Sequence, residues 1–303
     1  MPSHFELHNV SMMSKKILYI IFDFLNFKIN FYCKPRLFNV RHRNITNIGD
    51  NINGELLSKI IKRDVHKSTY LEIYFFKNFF FIGSILRFAK RKSIIIGSGF
   101  NNKSDVIALK SLPQIKFLRG HLSASLLEDK FELEPNSIKV IGDGGLLVSD
   151  YYPRASLVKN KVLLILNHSD SLSDRQKKLC DINDIDIFNM GQSILFKDFF
   201  NLLTSYKLVI SSSLHGVIFC DSFSIKCIPV KFQNSKVSEF KFYDHFSISS
   251  NRYASKVYQI DDILELSNLN LLENFTLPSL INLEQIKIEL KKAIRLSVVN
   301  IEN

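Results

Sequence analysis

The stretch SSSLHG, residues 211–216, combines three hydroxyl side chains with an imidazole where a predicted strand, 208–210, gives way to a predicted helix beginning near Leu214. Backbone N–H groups without partners and the positive end of the helix dipole meet at such a point and attract phosphate or carboxylate groups. His215, in the first helical turn, can donate a hydrogen bond to the anion or transfer a proton. Serine is also a common helix cap, so the pattern is equally typical of a capped helix in which His215 fills space.

A second polar group, Asn47-Ile48-Gly49-Asp50-Asn51, precedes the helix predicted at 54–61. Gly49 permits a tight turn, and Asp50 either caps the helix or points into a cleft as a base. Asn51 and Asn53 are further candidates for the cap. On pattern alone, the capping role is the more common one for such an aspartate.

Other charged residues follow predicted strands or lie among aromatic residues. Arg119 ends one strand, where its planar guanidinium would suit a phosphate or carboxylate. His168 and Asp170 end another; a metal site there lacks a third ligand at supportive spacing, so hydrogen bonds from this pair to a ligand are favoured. Lys241 lies in the aromatic segment 240–245, which is also typical of a partly buried loop whose lysine reaches solvent.

Short apolar runs rich in β-branched residues alternate with helical patterns along the chain and often end in glycine-rich turns. This alternation indicates parallel sheets that are buried on both faces. The predicted strands are 16–21, 93–96, 115–118, 138–141, 161–166, 185–189, 208–210 and 228–231, and the predicted helices are 54–61, 123–130, one from Leu214, and 282–297. The sequence Tyr151-Tyr152-Pro153-Arg154 predicts a linker. We therefore expect an α/β fold of two domains, 1–154 and 155–303, with ligands bound between the carboxyl ends of their strands.

The composition of the chain is typical of a globular protein, because 46% of its 303 residues are hydrophobic and 23% are charged. A formal net charge of +11 favours anionic partners, but no dense basic run with interleaved aromatic residues indicates nucleic acid binding. The four cysteines have no CxxC or metal-type spacing, which indicates reduced thiols: Cys33, Cys180, Cys220 and Cys227.

The apolar stretch 17–33 contains Asp23 and Lys28, and no run of about 18 uncharged apolar residues exists in the chain. A buried strand is therefore favoured there over an interfacial membrane anchor. We expect a cytoplasmic protein.

Taken together, these segments resemble the polysaccharide pyruvyl transferase family, in particular its bacterial exopolysaccharide ketalases. The matching segments extend from about residue 44 to residue 250: NIGDNINGELLSKI (47–60), GSGF (97–100), LRGHLSASLL (118–127), GDGGLL (142–147), NHSD (167–170), SSSLHGVIFCDSFSIKCIPV (211–230) and FKFYDH (240–245). The segment SSSLHG with its following helix and strand is the most specific part. The chain departs from the usual family pattern in having Ser213 in place of arginine, Gly144 in place of proline, and Asn167 before His168.

The resemblance implies a GT-B-like fold, in which two Rossmann-type domains face each other across a cleft. It implies phosphoenolpyruvate as the donor, a sugar diol or lipid-linked oligosaccharide as the acceptor, and a cyclic pyruvate ketal as the product, with no cofactor and no metal. On this basis we expect His215 to contact the phosphate and act as the acid, and Asp50 to act as the base. We expect donor binding by Ser211, Ser212, Ser213, Gly216, Arg119 and Lys241, and acceptor binding by Asn47, Asn51, His168 and Asp170.

Two other functions stay open. A glycosyltransferase of the same architecture, similar to sialyltransferases, would use the same helix N-terminus for a nucleotide sugar, although no carboxylate that could hold the ribose is identifiable in the second half. A non-catalytic member that binds polysaccharide precursors would be favoured by the loss of His215 or Arg119, and both are present. Contact with the inner face of a membrane is compatible with the basic charge.

Overall fold

The computed structural model of the protein describes residues 35–38, 47–68, 72–233, 235, 237–266 and 269–299. The strand predicted over 16–21 lies outside these residues, as does Cys33. All the elements named below belong to one unit, Arg36–Asn303.

The first half of the described chain builds one sheet of five short strands. They are β1 (Arg36–Phe38), β2 (His66–Ser68), β3 (Asn78–Phe80), β4 (Ser93–Ile96) and β5 (Gln114–Phe117). All neighbouring strands are parallel, and their order across the sheet is β2-β1-β3-β4-β5.

The second half builds another sheet of five parallel strands. They are β6 (Lys159–Leu166), β7 (Ile185–Asn189), β8 (Tyr206–Ser211), β9 (Lys226–Lys231) and β10 (Tyr258–Gln259). Their order is β10-β9-β8-β6-β7, which repeats the topology of the first sheet when each sheet is numbered from its own first strand.

Helices connect the strands. They are α1 (Ile48–Ile61), α2 (Glu72–Phe75), α3 (His121–Lys130), α4 (Asp174–Ile182), α5 (Phe196–Thr204), α6 (Leu214–Ser222), α7 (Phe240–Phe246), α8 (Ile260–Leu264), α9 (Leu269–Glu273) and α10 (Leu283–Val299). Short 3₁₀ turns occur at Leu86–Phe88, Lys103–Ala108, Gly144–Asp150 and Ser250–Arg252.

Both faces of each sheet are buried, as the continuous apolar runs predict. In β6, Leu163 and Ile165 pack into a cluster with residues of α5 and α6, whereas Val162 and Leu164 face a separate cluster that includes residues of α4 and α8. The same alternation divides the residues of β3 and β4 between two clusters. The prediction of an α/β fold with two Rossmann-like parallel sheets is therefore confirmed.

The last helix, α10, returns to the first half of the chain. It packs against α1, β4 and the 3₁₀ turn Gly144–Asp150, with Leu290 and Ile294 fully buried. One core cluster contains Ile94 of the first sheet and Leu163 of the second. The two sheets therefore share apolar packing, and the division into domains at residue 154 stays a prediction.

The first helix begins earlier than the sequence predicts. Asn47, and not Asn51 or Asn53, is the cap: its side chain accepts a hydrogen bond from the Gly49 N–H. The Asn53 amide lies inside the helix and exchanges two hydrogen bonds, of 3.0 and 2.9 Å, with the backbone of Ile82. The predicted start at residue 54 was wrong because asparagines inside a helix can bond to a neighbouring loop as well as to the helix end.

The strand predicted at 138–141 is not formed. Only Val140 makes a bridge, to Leu118 at the end of β5. The N–H groups of Ile141 and Gly142 both turn to the carbonyl of Leu118, so the segment follows β5 for a single residue. The predicted strands at 93–96 and 185–189, by contrast, are found with the expected bounds.

A buried ion pair ties the second half together. Asp221 of α6 accepts hydrogen bonds from both terminal nitrogens of Arg252, at 2.8 and 2.6 Å, and lies 2.7 Å from Nε2 of His245 in α7. Burial by itself would raise the pKa of Asp221, but the charge and hydrogen bonds of Arg252 and His245 outweigh it and hold that pKa below its ordinary value. The carboxylate therefore stays charged and keeps Arg252 paired.

Removing this carboxylate should destabilise the fold strongly. We expect Asp221→Ala to lower the free energy of unfolding by about 3–5 kcal/mol, because it leaves the buried Arg252 without its partner. Glu265→Ala, which removes the exposed partner of Arg175, should cost less than about 1 kcal/mol. Urea unfolding followed by circular dichroism measures both, and equal losses would contradict this account of Asp221.

Candidate active site

Each sheet has one place where the strand order reverses. In the first sheet, β1 lies between β2 and β3, so the chain adds β2 on one side of β1 and β3 on the other. In the second sheet, β6 lies between β7 and β8 in the same way. The loops that follow such a pair of strands open a crevice at their carboxyl ends, which is where ligands of open α/β sheets bind.

The residues that follow these reversal points line a single cavity of about 350 Å³, a size typical of small-molecule sites. From the first half it is lined by Asn47 and Asp50 at the start of α1 and by Ser84, Arg87, Phe88 and Asn101 on the loops after β3 and β4. From the second half it is lined by Asn167 and His168 after β6, by Ser213 and His215 after β8, and by Lys241. The cavity therefore brings together residues on which the sequence analysis concentrated.

His215 lies in the first turn of α6 and its ring packs directly against α1. A Cβ atom at Gly49 would lie 1.9 Å from Nδ1 of His215, so only glycine fits there. Nε2 of His215 is buried and has no hydrogen-bond partner among the described residues. Burial, followed by the positive charges of Lys241, Arg119 and His168, lowers the pKa of His215 to about 3. The imidazole is therefore neutral at physiological pH in the free protein.

His215 and Asp50 face the same small space above Gly83. A Cβ atom at Gly83 would lie 3.5 Å from Nε2 of His215 and 3.6 Å from Oδ1 of Asp50, and its φ of +100° favours glycine as well. An imidazole and a carboxylate therefore converge on one point of the cavity, as an acid and a base acting on one reacting group would.

Asn47 connects the start of α1 with the second half. Its Oδ1 accepts from the Gly49 N–H at 3.1 Å, which orients the amide so that Nδ2 donates to Oδ2 of Asp50 at 2.8 Å. The same Nδ2 lies 3.4 Å from Nδ1 of His168. Since an amide nitrogen only donates, Nδ1 of His168 accepts in the neutral form of this ring, and the ring proton of that form is on Nε2.

Lys241 reaches the cavity from α7. The segment 240–245 is a helix, so the alternative of a partly buried loop was wrong. Burial and the charge of Arg119 lower the pKa of Lys241 to about 8, while Asp50 and Asp170 act in the opposite direction. The amine is mostly charged at neutral pH, and in the described part of the chain no carboxylate forms an ion pair with it.

Arg119 lies one contact away from the cavity and is fully buried. Its Nε donates to Asp244 of α7 at 2.9 Å, Nη1 donates to Ser84 at 2.7 Å, and Nη2 donates to the carbonyl of Phe100 at 2.7 Å. Asp244 also accepts two hydrogen bonds from Ser123. The guanidinium thus holds the cavity wall and adds positive charge behind it, while its predicted contact with a donor stays a prediction.

Only Ser213 of the three serines lines the cavity. The hydroxyl of Ser211 donates to the carbonyl of Ser213 and accepts from its N–H, and Gly216 leaves room for it, since a Cβ there would lie 2.3 Å from that oxygen. The hydroxyl of Ser212 donates to Asp170 at 2.7 Å and accepts from the N–H of Asn167. These groups hold the turn in shape, and their direct contact with a ligand is untested.

The sequence analysis did not single out several residues of the cavity, and it named one that faces away. Asn51 is exposed on α1 and does not line the cavity. The residues missed are Ser84, Ile85, Arg87, Phe88, Asn101 and Leu214. An apolar run from Phe79 to Ile82 that ends in Gly83 carries the same signal as the strands that were predicted, and would have located the first four.

No three His, Cys, Asp or Glu side chains of the described residues are grouped as a metal site would require. Within those residues, no helix has the length and apolar character needed to cross a bilayer. Cys180, Cys220 and Cys227 are buried and free.

Residues 29–234 match the family described as polysaccharide pyruvyl transferase. The chain belongs to this family. The matched region contains every cavity residue named above except Lys241. The family membership predicted from the sequence segments is therefore confirmed, and it indicates a transferase that acts in polysaccharide synthesis.

Two further proteins are similar to this pyruvyl transferase family member. An uncharacterized protein of Acanthamoeba polyphaga mimivirus is 26% identical over 206 residues, which is 67% of this chain and 70% of that protein. A solved structure of an uncharacterized protein from Klebsiella pneumoniae subsp. pneumoniae covers 82% of this chain and 99% of its own, with 14% identity and a TM-score of 0.42. A likeness at that level carries no information about activity.

The contact between Gly49 and His215 predicts different effects for two glycine substitutions on α1. Gly49→Ala should displace the imidazole, because the new methyl group would overlap it. Gly54→Ala meets only the flexible end of Lys67, at 2.9 Å from its Cε, and should change the free energy of unfolding by no more than about 1 kcal/mol. The ring resonances of His215 in NMR spectra should move in the first variant and not in the second. Unchanged resonances in Gly49→Ala would contradict the packing described here.

The low pKa of His215 predicts that its ring does not titrate between about pH 5 and 8 in the free pyruvyl transferase. In the unfolded chain the ring binds a proton below about pH 6.5. The unfolded state therefore binds more protons than the native state between that pH and about 3, and His215 lowers stability as the pH falls through this range. Histidine ring resonances recorded against pH test this, with His215→Asn to assign the signal. A midpoint near 6.5 for that signal would contradict the buried, neutral ring.

Proposed function

We propose that this family member transfers the pyruvyl group of phosphoenolpyruvate to two hydroxyl groups of a sugar and forms a cyclic ketal. The observation that carries the proposal is the unpartnered, buried Nε2 of His215. It lies at the N-terminus of α6, a helix of nine residues, in a cavity that also contains Lys241. A buried polar atom without a partner indicates a position prepared for a ligand.

The donor fits the charges at this end of the cavity. Phosphoenolpyruvate carries up to three negative charges, and the helix N-terminus, the ammonium of Lys241 and the buried guanidinium of Arg119 provide a positive field for them. The phosphate would accept hydrogen bonds from the turn at Ser213 and from His215. Ser211, Ser212 and Gly216 would act by holding that turn in place.

The proposed reaction is an addition followed by a substitution at the same carbon. A proton is added to the methylene carbon of the donor, which becomes a methyl group, and the neighbouring carbon gains oxocarbenium character. One sugar hydroxyl attacks that carbon and loses its proton to a base. The second hydroxyl then forms the other C–O bond while the C–O bond to the phosphate breaks, and its proton passes to the departing phosphate, so the products are the ketal and hydrogen phosphate. This scheme needs no cofactor and no metal.

His215 is the proposed acid, and its pKa in the free protein raises a physical question. A neutral imidazole cannot deliver the extra proton of an imidazolium ion. Burial is the largest cause of this low pKa, followed by the charges of Lys241, Arg119 and His168. A trianionic donor would neutralise these charges and place negative charge beside the ring, which would raise the pKa of His215. The donor would therefore bind together with a proton, which His215 then holds next to the methylene carbon.

Asp50 is the proposed base. Its carboxylate accepts a hydrogen bond from Asn47 and faces the space that His215 also faces. This position would let it take a proton from the acceptor hydroxyl while the imidazole acts on the donor. Asn47 would orient the carboxylate, and His168, which lies beside the same amide, would contact the acceptor. Asp170 would support the acceptor side of the cavity indirectly, by accepting the hydrogen bond of the Ser212 hydroxyl.

Donor binding is tested most directly by thermal stability. We expect phosphoenolpyruvate to raise the melting temperature of the wild-type protein, since a ligand at 100 times its dissociation constant stabilises by about 2.7 kcal/mol. His215→Ala should lose this shift, and His121→Ala, at an exposed histidine of α3, should keep it. CMP, UDP and GDP serve as ligand controls.

A shift with a nucleotide and none with phosphoenolpyruvate would contradict the proposal and favour glycosyl transfer. Calorimetry in buffers of different ionisation enthalpy should also show proton uptake when phosphoenolpyruvate binds. Release of inorganic phosphate that depends on an added glycan, with the glycan gaining a pyruvate ketal by mass spectrometry, would test the reaction itself.

A further inference from the structure

One wall of the cavity contains residues that the proposed donor chemistry does not use. They are Arg87 and Phe88, in the 3₁₀ turn after β3, and Asn101, on the loop after β4. These side chains combine a guanidinium, an aromatic ring and a carboxamide on one surface. The two loops that carry them are paired with each other through backbone hydrogen bonds between Gly83 and Gly99 and between Leu86 and Gly99.

Side-chain contacts hold this wall rigid. The nearly buried carboxylate of Asp105 accepts a hydrogen bond from Nη1 of Arg87 at 3.1 Å and from the backbone N–H groups of Asn101 and Asn102, also at 3.1 Å. Arg119 supports the same two loops from behind, through Ser84 and the carbonyl of Phe100. The wall is thus organised before any ligand arrives, which lowers the entropy lost on binding.

Arg87 retains binding capacity. Its side chain is 48% exposed, and the contact with Asp105 uses one of its N–H groups. No other hydrogen-bond partner of this guanidinium is found among the described residues. The guanidinium lies 5.4 Å from the centre of the Phe88 ring, and both side chains line the cavity.

This wall is separate from the donor end of the cavity. The charges that lower the pKa of His215 come from Lys241, Arg119 and His168, and that of Lys241 is lowered by Arg119. Arg87 and Asn101 lie on the loops after β3 and β4, whereas His215 and Lys241 lie on α6 and α7. The cavity therefore has a guanidinium on its first-half wall and an ammonium on its second-half wall.

We propose that Arg87, Phe88 and Asn101 form a subsite for an acceptor sugar that carries an anionic group, a carboxylate or a phosphate. The guanidinium group of Arg87 would bind that anionic group with two parallel hydrogen bonds. Asn101 would donate to and accept from ring hydroxyls, and Phe88 would cover an apolar face of the sugar ring. The inference rests on the proposed function, because it names the class of acceptor for that reaction.

Ligand-observed saturation-transfer NMR with simple probes tests the subsite. We would titrate methyl glucuronide, a glucose phosphate and neutral methyl glucoside, each with and without phosphoenolpyruvate. Wild-type protein should bind at least one acidic sugar about tenfold more tightly than the neutral one. Arg87→Gln should lose this preference, and Arg91→Gln, at an exposed arginine outside the cavity, should keep it. The glucuronide and phosphate arms decide which anion is recognised.

The outcomes separate this inference from the proposed function. Arg87→Gln should retain the thermal shift with phosphoenolpyruvate; a loss of that shift would assign Arg87 to the donor and overturn the inference. Equal binding of neutral and acidic sugars by wild type would overturn it too, as would no binding of either acidic sugar. If acidic sugars bind through Arg87 while phosphoenolpyruvate does not bind to wild type, the proposed function fails and the subsite stands.

Discussion

The ion pair between Arg119 and Asp244 links both sheets to the cavity. Arg119 follows β5 of the first sheet and Asp244 lies on α7 of the second half, and both are fully buried. A buried pair of this kind repays its desolvation only when its remaining donors and acceptors are satisfied. Here Ser84, Phe100 and Ser123 satisfy them, and these same contacts place the wall of the cavity and the helix that carries Lys241. The geometry of the site thus follows from completing one buried charge pair.

Glycines permit this close association of the two halves. Gly49 lets the ring of His215 pack against the first turn of α1, and a Cβ at Gly120 would lie 1.8 Å from the backbone oxygen of Asp244. The consequence is electrostatic as well as steric. His215 is desolvated and lies near positive groups, so it is neutral in the free protein. In the proposed reaction, this charge distribution would couple binding of the anionic donor to protonation of His215.

Much of the fold and part of the site were predictable from local patterns. The strand β4 and the apolar centre of β8 were found because a buried parallel strand leaves a continuous apolar run, and the helix after SSSLHG was found because it follows such a strand. The strands β1 and β2 were not predicted, since three residues are too few to establish a period. The strand β3 was overlooked, although an apolar run that ends in Gly83 marks it. Arg87 was missed together with β3, which it follows. Asn101 lies on the loop after β4, and the meeting of this loop with the loop after β3 leaves no mark on the local sequence.

By itself, the sequence determined the class of the fold, the membership of the family and the position of a serine-rich turn with His215 at a helix N-terminus, because these depend on residue types within short spans. Only the tertiary structure decided which groups face the cavity. Ser211, Ser212 and Arg119 carry the chemistry of an anion site, yet their hydrogen bonds are used inside the protein. The protonation state of His215 was likewise decided by packing, because its pKa depends on burial and on charges contributed by Lys241, Arg119 and His168, which are far from it in sequence.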